Sequence, residues 1–377
     1  MKKLFVVYHY FAHYRMPVIK ALVSSSGKVE PTFISDLSSN EPSLLTLDSS
    51  SINNFKKVEN IWLGKWLWQK GLIKFLLKNK PEYTIFLGQF SFLTTWIGTL
   101  LLKLLGKKVY FWGHGLYGNE KGIKRVFRNF FNKLPDKHLV YGHHAKSLLV
   151  AEGIKDSDIV VIYNSLDYKQ HKLILDNLRT SLNVSQSIKK SIFPDYFEHP
   201  MAFFIGRLTP VKKLEMVIQA LSVLKSNNKI LNFLIIGDGP QYDFLKNLVT
   251  SLNLTSQVCF YGACHEEKVI GELIYSADFC ISPGNVGLTA IHSLSYGTPV
   301  ITHDKFELQM PEFEAIKPDF NGDFFEYDNL TSLVSIMEKW MFKVTFESES
   351  IFINSISIID ECYNPEAQAR LILNSLN

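Results

Sequence analysis

Two successive series of short apolar runs, each alternating with stretches of helical periodicity, constrain this chain more than any other feature. The first series lies at residues 4–9, 31–35, 83–87, 108–112, 138–141 and 159–162. The second lies at 202–205, 232–236, 257–261, 279–282 and 299–302. Most of these runs are apolar without alternation, as expected of parallel strands covered on both faces. Helical patterns fall between them, for example at 213–227 and 241–252. Strands and helices in that alternation predict an α/β doubly wound sheet, here twice over. At 377 residues the chain exceeds one ordinary domain. The expected division is a first Rossmann-like domain over 1–167, a polar linker over 168–200 and a second domain over 201–360. A closing helix over 361–377 is expected to cross back to the first domain.

Charge is unevenly spread. The net charge is +4, but residues 1–167 hold about 23 Lys+Arg against 12 Asp+Glu, and residues 168–377 about 17 against 24. A basic half points to an anionic partner: nucleic acid, a membrane surface or a phosphorylated substrate. The four cysteines, Cys259, Cys264, Cys280 and Cys362, form no C-x-x-C and all lie in the acidic half. That fits a reduced compartment, not a disulfide framework. Cys259, Cys264 and His265 lack zinc-knuckle spacing. The opening MKKLFVVYHY reads as a buried first strand, because His9 and His13 break the apolar run and no small-residue cleavage site follows. The apolar stretch at 92–105 is too short to span a bilayer.

Three runs in the second half carry chemistry. In FFIGRLTPVKKLEMV a strand ends at Ile205, Gly206 allows a tight turn, and Arg207 and Lys212 stand before a helix. Two cations at the carboxyl end of a buried strand suit a diphosphate. In NFLIIGDGPQYDFL, Gly237 and Gly239 sit between strand and helix; Tyr242 at the third glycine position excludes a dinucleotide fingerprint. In ADFCISPGNVGLTAIHSLSYGTPV a strand ends at Ser282, a loop follows, and a helix begins at Leu288. Free N–H groups at that helix start are expected to face the same crevice.

Taken in this order, the pieces resemble the donor half of the GT-B glycosyltransferases, of the retaining family 4 type. They are GRL followed by Lys212, IIGDGP, VCFYG, YSADFCISP, GL-x-x-I-x-x-L-x-x-G-T-P-V and a late NG at 321–322. VYFWGHG and VIYNSLD extend the resemblance, more loosely, into the first half. The resemblance implies two Rossmann-like domains facing across a cleft, with retaining transfer of a hexose-type sugar from a nucleoside diphosphate donor, UDP ahead of GDP. It implies Arg207, Lys212 and His114 as catalytic residues. Donor binding would fall to Gly206, Gly237, Gly239, Tyr261, Asn285, Val286, Gly287, Leu288, Thr289 and His292. His13, Tyr14 and Arg15, where the family has a glycine-rich turn, are the acceptor-side candidates. The family needs no cofactor and usually no divalent metal. The D-x-D at Asp156-Ser157-Asp158 reads as a solvated turn. The family's two glutamates, eight positions apart, are replaced here by Gly284 and His292. His292 could still bond ribose hydroxyls, whereas Gly284 cannot touch a sugar.

Tryptophans and lysines interleave at helical spacing from Trp62 to Lys78, and the theme returns at 121–133 with Lys124, Arg125, Phe127, Arg128, Phe130 and Phe131. Such faces dock on anionic lipid. The reading is therefore a cytoplasmic enzyme, peripheral on the inner membrane face, acting on a lipid-linked surface glycan. No nucleic-acid module is visible. A nucleotide-sugar epimerase is the rival enzyme class, and it needs acid–base carboxylates in the cleft. A catalytically inactive binding protein is the rival outside enzymes.

Overall fold

The first apolar run becomes β1 (Lys2–Tyr10), an interior strand of a seven-stranded sheet in a computed structural model that describes residues 1–38, 46–116, 118 and 122–376. Its partners are β2 (Val29–Asp36), β3 (Phe55–Lys57), β6 (Tyr83–Leu87), β7 (Lys108–Gly113), β8 (Lys137–Val140) and β9 (Ile159–Val161). A separate antiparallel pair is formed by β4 (Glu59–Leu63) and β5 (Trp66–Lys70). The large sheet is wholly parallel, in the order β3-β2-β1-β6-β7-β8-β9. The order reverses between β1 and β6, so a crevice opens at their carboxyl ends.

Helices cover both faces: α1 (Met16–Ser24), α2 (Leu72–Asn79), α3 (Leu93–Leu104), α4 (Gly122–Asn132) and α5 (His143–Ala151). Leu4, Val6, Tyr8, Ile85, Tyr110 and Trp112 pack in one core with α1. Phe5, Val7, Phe86, Val109 and Phe111 pack in the other with α2 and α3. Neighbouring residues of one strand thus serve opposite cores, which is why the runs show no polar alternation.

The second unit begins at Asp167. Its helices are α6 (Tyr168–Thr180), α7 (Val184–Ile192), α8 (Leu214–Ser226), α9 (Tyr242–Ser251), α10 (Glu267–Ser276), α11 (Leu288–Ser295) and α12 (Leu330–Glu361), the last kinked at Glu347. Its strands are β10 (Met201–Ile205), β11 (Asn232–Ile236), β12 (Val258–Gly262), β13 (Phe279–Ser282), β14 (Val300–His303) and β15 (Gly322–Phe325). They form a parallel sheet ordered β12-β11-β10-β13-β14-β15, reversing between β10 and β13. Its main core joins Phe204, Phe233, Ile235 and Ile281 to Leu221, Met337 and Trp340, all nearly solvent-free.

The compact units are residues 1–166 with 364–377, and residues 167–363. The last helix, α13 (Pro365–Ser375), packs on α1 and puts Ala369 and Ile372 into the first unit's core. The span 168–200, expected as a linker, is instead α6 and α7 of the second unit. Asp167 caps α6 by accepting from the Gln170 amide at 3.2 Å, and His171, Leu175 and Leu178 bury one stripe. Polar residues on the outer faces of these helices gave the linker impression.

The Trp62–Lys78 stretch is also not one helix. Gly64 and Lys65 make a two-residue hairpin turn between β4 and β5, with Gly64 at φ 61°. Only Leu72–Asn79 is helical. Asp156–Asp158 is a 3-10 turn before β9, where Asp156 pairs with Lys146 at 3.0 Å.

Candidate functional site

In the second unit the β10–β13 reversal gathers the three motif runs. The turn after β10 carries Gly206 and Arg207, and a 3-10 turn, Pro210–Lys212, presents Lys212. Arg207 is exposed. Lys212 is partly buried, and its Nζ donates to Asn285 twice, to the main-chain oxygen at 2.8 Å and to Oδ1 at 2.9 Å. Burial pushes this ammonium below its ordinary pKa. Among the described residues no carboxylate forms an ion pair with it. A desolvated cation held only by neutral oxygens favours an anionic ligand.

Close backbone packing explains the glycines. A Cβ on Gly237 would lie 1.9 Å from the Gly206 carbonyl oxygen, and one on Gly239 2.4 Å from that of Leu208. A Cβ on Gly284 would lie 1.9 Å from the Val211 oxygen and 2.7 Å from the Lys212 Cα. The loop bearing Lys212 therefore occupies the space that a glutamate at 284 would need. Thr289 ties α11 to the end of β10 through Oγ1 and the Ile205 oxygen, 3.2 Å apart.

Not every expected donor residue stands ready for a ligand. Val286 is fully buried, and its N–H donates to Gln309 Oε1 at 2.6 Å, so this amide is not a free one. The amides of Gly287, Leu288 and Thr289 have no backbone acceptor among the described residues. Tyr261 is exposed near the end of the edge strand β12. His292 was expected to hold ribose; its Nε2 is instead 2.8 Å from Glu267 Oε1. The same oxygen accepts from Tyr296 at 2.8 Å and lies 3.3 Å from His171 Nε2, with the two imidazoles stacked at 5.0 Å. The cause is the α6 helix read as a linker, which brings His171 against α10 and α11. His171, Glu267 and His292 each place a ligand atom within 4.8 Å of the others, a spacing a divalent ion could draw together.

Two residues escaped the sequence reading. Gln309, buried, donates to Thr302 Oγ1 and the His303 oxygen while accepting from Val286, and so fixes the loop before α11. Glu312, also buried, places Oε2 4.0 Å from where a Cβ on Gly287 would sit. Their separation from the motif hid them, because both lie after β14.

The first unit has its own cavity of about 610 Å³ at the β1–β6 reversal. Tyr14, Arg15 and His114 line it; His13 is exposed and outside the lining. The β4–β5 hairpin contributes Trp62 and Lys65 to the wall. The Arg15 guanidinium lies within 5.4–5.8 Å of the Tyr8, Tyr14, Trp112 and Tyr141 ring centroids. Such contacts contribute about 0.5–1 kcal/mol each when exposed and more when desolvated. Its Nη2 donates to the Tyr141 hydroxyl at 2.5 Å. Burial, then the charge of Arg15, push His114 down to about 4. Burial alone does the same to His9. Both imidazoles are neutral at pH 7.

On α3 and α4 the exposed side chains include Ile97, Leu100, Leu104, Val126, Phe127 and Phe130. Trp96 stacks on Phe130 and joins the two helices. Lys121 and the side chain of Lys124 lie outside the described residues. Among the described residues no helix is long and apolar enough to cross a membrane.

Residues 185–344 match the model of the glycosyl transferases group 1. The lipopolysaccharide 1,6-galactosyltransferase of Escherichia coli (strain K12) is 22% identical over 276 residues, 70% of this chain and 66% of that protein. The α-monoglucosyldiacylglycerol synthase of Streptococcus pneumoniae is 35% identical over 104 residues, 26% of this chain and 23% of that protein. The chain thus spans just under two thirds of the first relative and about a quarter of the second. Among solved structures, the lipopolysaccharide outer core galactosyltransferase WaaB superposes with a TM-score of 0.71 at 16% identity, covering 100% of this chain and 99% of its own. Anabaena HepE in complex with UDP gives 0.70 at 15%, with coverage of 100% and 99%. The GT-B fold thus runs along the chain's length, and residues 185–344 of its second unit match the glycosyl transferases group 1.

Proposed function

We propose that this chain is a retaining glycosyltransferase of the family 4 type that moves a hexose-type sugar from a nucleoside diphosphate donor to a glycan hydroxyl. The observation that carries the reading is Lys212, a partly buried ammonium steadied by Asn285 with no carboxylate paired to it among the described residues, at the sheet's reversal point. A donor diphosphate supplies the missing negative charge. In the transfer the bond from anomeric carbon to diphosphate oxygen breaks, and the acceptor oxygen bonds to that carbon from the same face. The acceptor proton passes to a phosphate oxygen of the leaving group. Lys212 and Arg207 offset the charge that develops there, an effect of the oxyanion-hole kind. Neutral His114 serves as a hydrogen-bonding partner for the sugar, not as an acid.

UDP is the expected nucleotide; HepE, a neighbour in fold, was solved with UDP. The lipopolysaccharide and diacylglycerol names of two relatives support a lipid-linked acceptor. The apolar side chains on α3 and α4, beside Arg125 and Arg128, support docking on the inner face of a membrane. No cofactor or metal takes part in this reading.

Calorimetric titration with UDP-, GDP-, dTDP- and CMP-sugars tests it. One nucleotide class should bind, and Lys212→Ala should weaken it at least tenfold. Binding by none of them would contradict the donor site.

A further inference from the structure

We infer that the cavity of the first unit receives an acceptor bearing an oxyanion, a carboxylate or a phosphate, and that Arg15 is its counter-charge. A guanidinium is charged at every relevant pH. Nη2 of Arg15 is engaged by a neutral hydroxyl, that of Tyr141. Nη1 is sealed from solvent and, among the described residues, has no acceptor. Among the described residues no carboxylate forms an ion pair with Arg15. The ring faces of Tyr8, Tyr14, Trp112 and Tyr141 soften the desolvation but bring no negative charge.

The cavity lining repeats the imbalance. Among the described residues it holds Arg15 and Lys65 but no Asp or Glu. Its polar remainder is uncharged: tyrosine and serine hydroxyls, the Gln89 amide and the imidazoles of His9 and His114. Trp62 and Phe92 add flat apolar faces on which a sugar ring can lie. At about 610 Å³ the space falls in the usual range for small-molecule sites. A net-positive cavity with flat walls selects an anionic sugar over a neutral one. Calling that ligand the acceptor rests on the transferase reading; the anion site itself does not.

The test is titration of the Arg207→Ala, Lys212→Ala double variant, whose donor site no longer holds anions, followed by tryptophan fluorescence. The probes are D-glucuronate, inorganic phosphate and methyl glucoside. At least one anion should bind tenfold or more tighter than the neutral sugar, and which anion wins identifies the oxyanion. Adding Arg15→Gln should remove that preference and leave methyl glucoside unchanged. Equal affinity for neutral and anionic probes, or an anion preference that survives Arg15→Gln, would overturn the inference. If Arg15→Gln does not fold, salt decides. Anion affinity should fall with added NaCl while methyl glucoside affinity stays level, and salt-independent anion binding would overturn the inference. Loss of nucleotide binding alone would count against the transferase reading and leave this site standing.

Discussion

Lys212 and Asn285 are joined by two hydrogen bonds, 2.8 and 2.9 Å long, that fix an ammonium at the start of α11. Removing the Asn285 side chain deletes one of them. A hydrogen bond to a charged group contributes about 1.5–3 kcal/mol. Asn285→Ala should therefore lower kcat/KM for donor turnover roughly 10–100-fold. Steady-state kinetics on the folded variant checks this, and an unchanged value would detach Lys212 from its proposed support.

Gly284 lies under the backbone of Val211 and Lys212. Gly284→Ala should cost about 1–3 kcal/mol in urea unfolding, as overpacked sites do. Gly284→Glu should do worse and restore no activity. A neutral effect would mean that the 210–212 turn yields easily.

Glu312 is a buried carboxylate whose Oε2 would lie 4.0 Å from a Cβ on Gly287. It is the acidic group we expect to act on the donor in place of the glutamate absent at 284. Glu312→Gln, nearly isosteric, should reduce kcat at least tenfold with the melting temperature little changed. Full activity would exclude the substitute role.

His9, His114, His138, His171 and His303 are each pushed down to about 4, burial being the largest cause for every one. Between pH 6.5 and 4 the unfolded chain binds protons at these positions and the native state does not. Stability therefore rises with pH across that window and is lost on acidification through it. Melting temperature should be flat above about pH 7 and fall steadily from pH 6.5 to 4. A flat profile over that window would contradict the burial of these rings.

Phe127 and Phe130 are exposed on α4 beside Arg125 and Arg128. Phe127→Ser with Phe130→Ser should cut sedimentation with phosphatidylglycerol vesicles several-fold and leave neutral vesicles unaffected. Equal binding before and after the change would remove α4 from the docking face.

The architecture was legible because both sheets are buried on two faces. Phe5 and Val7 serve one core, Leu4 and Val6 the other, and the resulting apolar runs need no partner to be recognised. The loops at the β10–β13 reversal were legible for a related reason: Gly237, Gly239 and Gly284 mark where backbone meets backbone. What the sequence hid depends on long-range packing. His171 is 96 positions from Glu267 and 121 from His292 (267 − 171 and 292 − 171), and only the folding of α6 onto α10 and α11 brings them together. The hairpin at Trp62 was misread because aromatic residues and lysines recur at intervals that suit helix and strand alike, and one glycine turn decides between them. The Arg15 aromatic cage joins four elements and has no sequence pattern of its own.

The most direct test of the central claim is hexose release from the nucleotide sugar that binds, followed by NMR at the anomeric proton, for the wild type and Lys212→Ala. The account predicts slow release by the wild type, with the first-formed sugar keeping the donor's anomeric configuration, and a fall of about 10²–10³-fold in the variant. Release that Lys212→Ala leaves untouched, or a first product of inverted configuration, would contradict it.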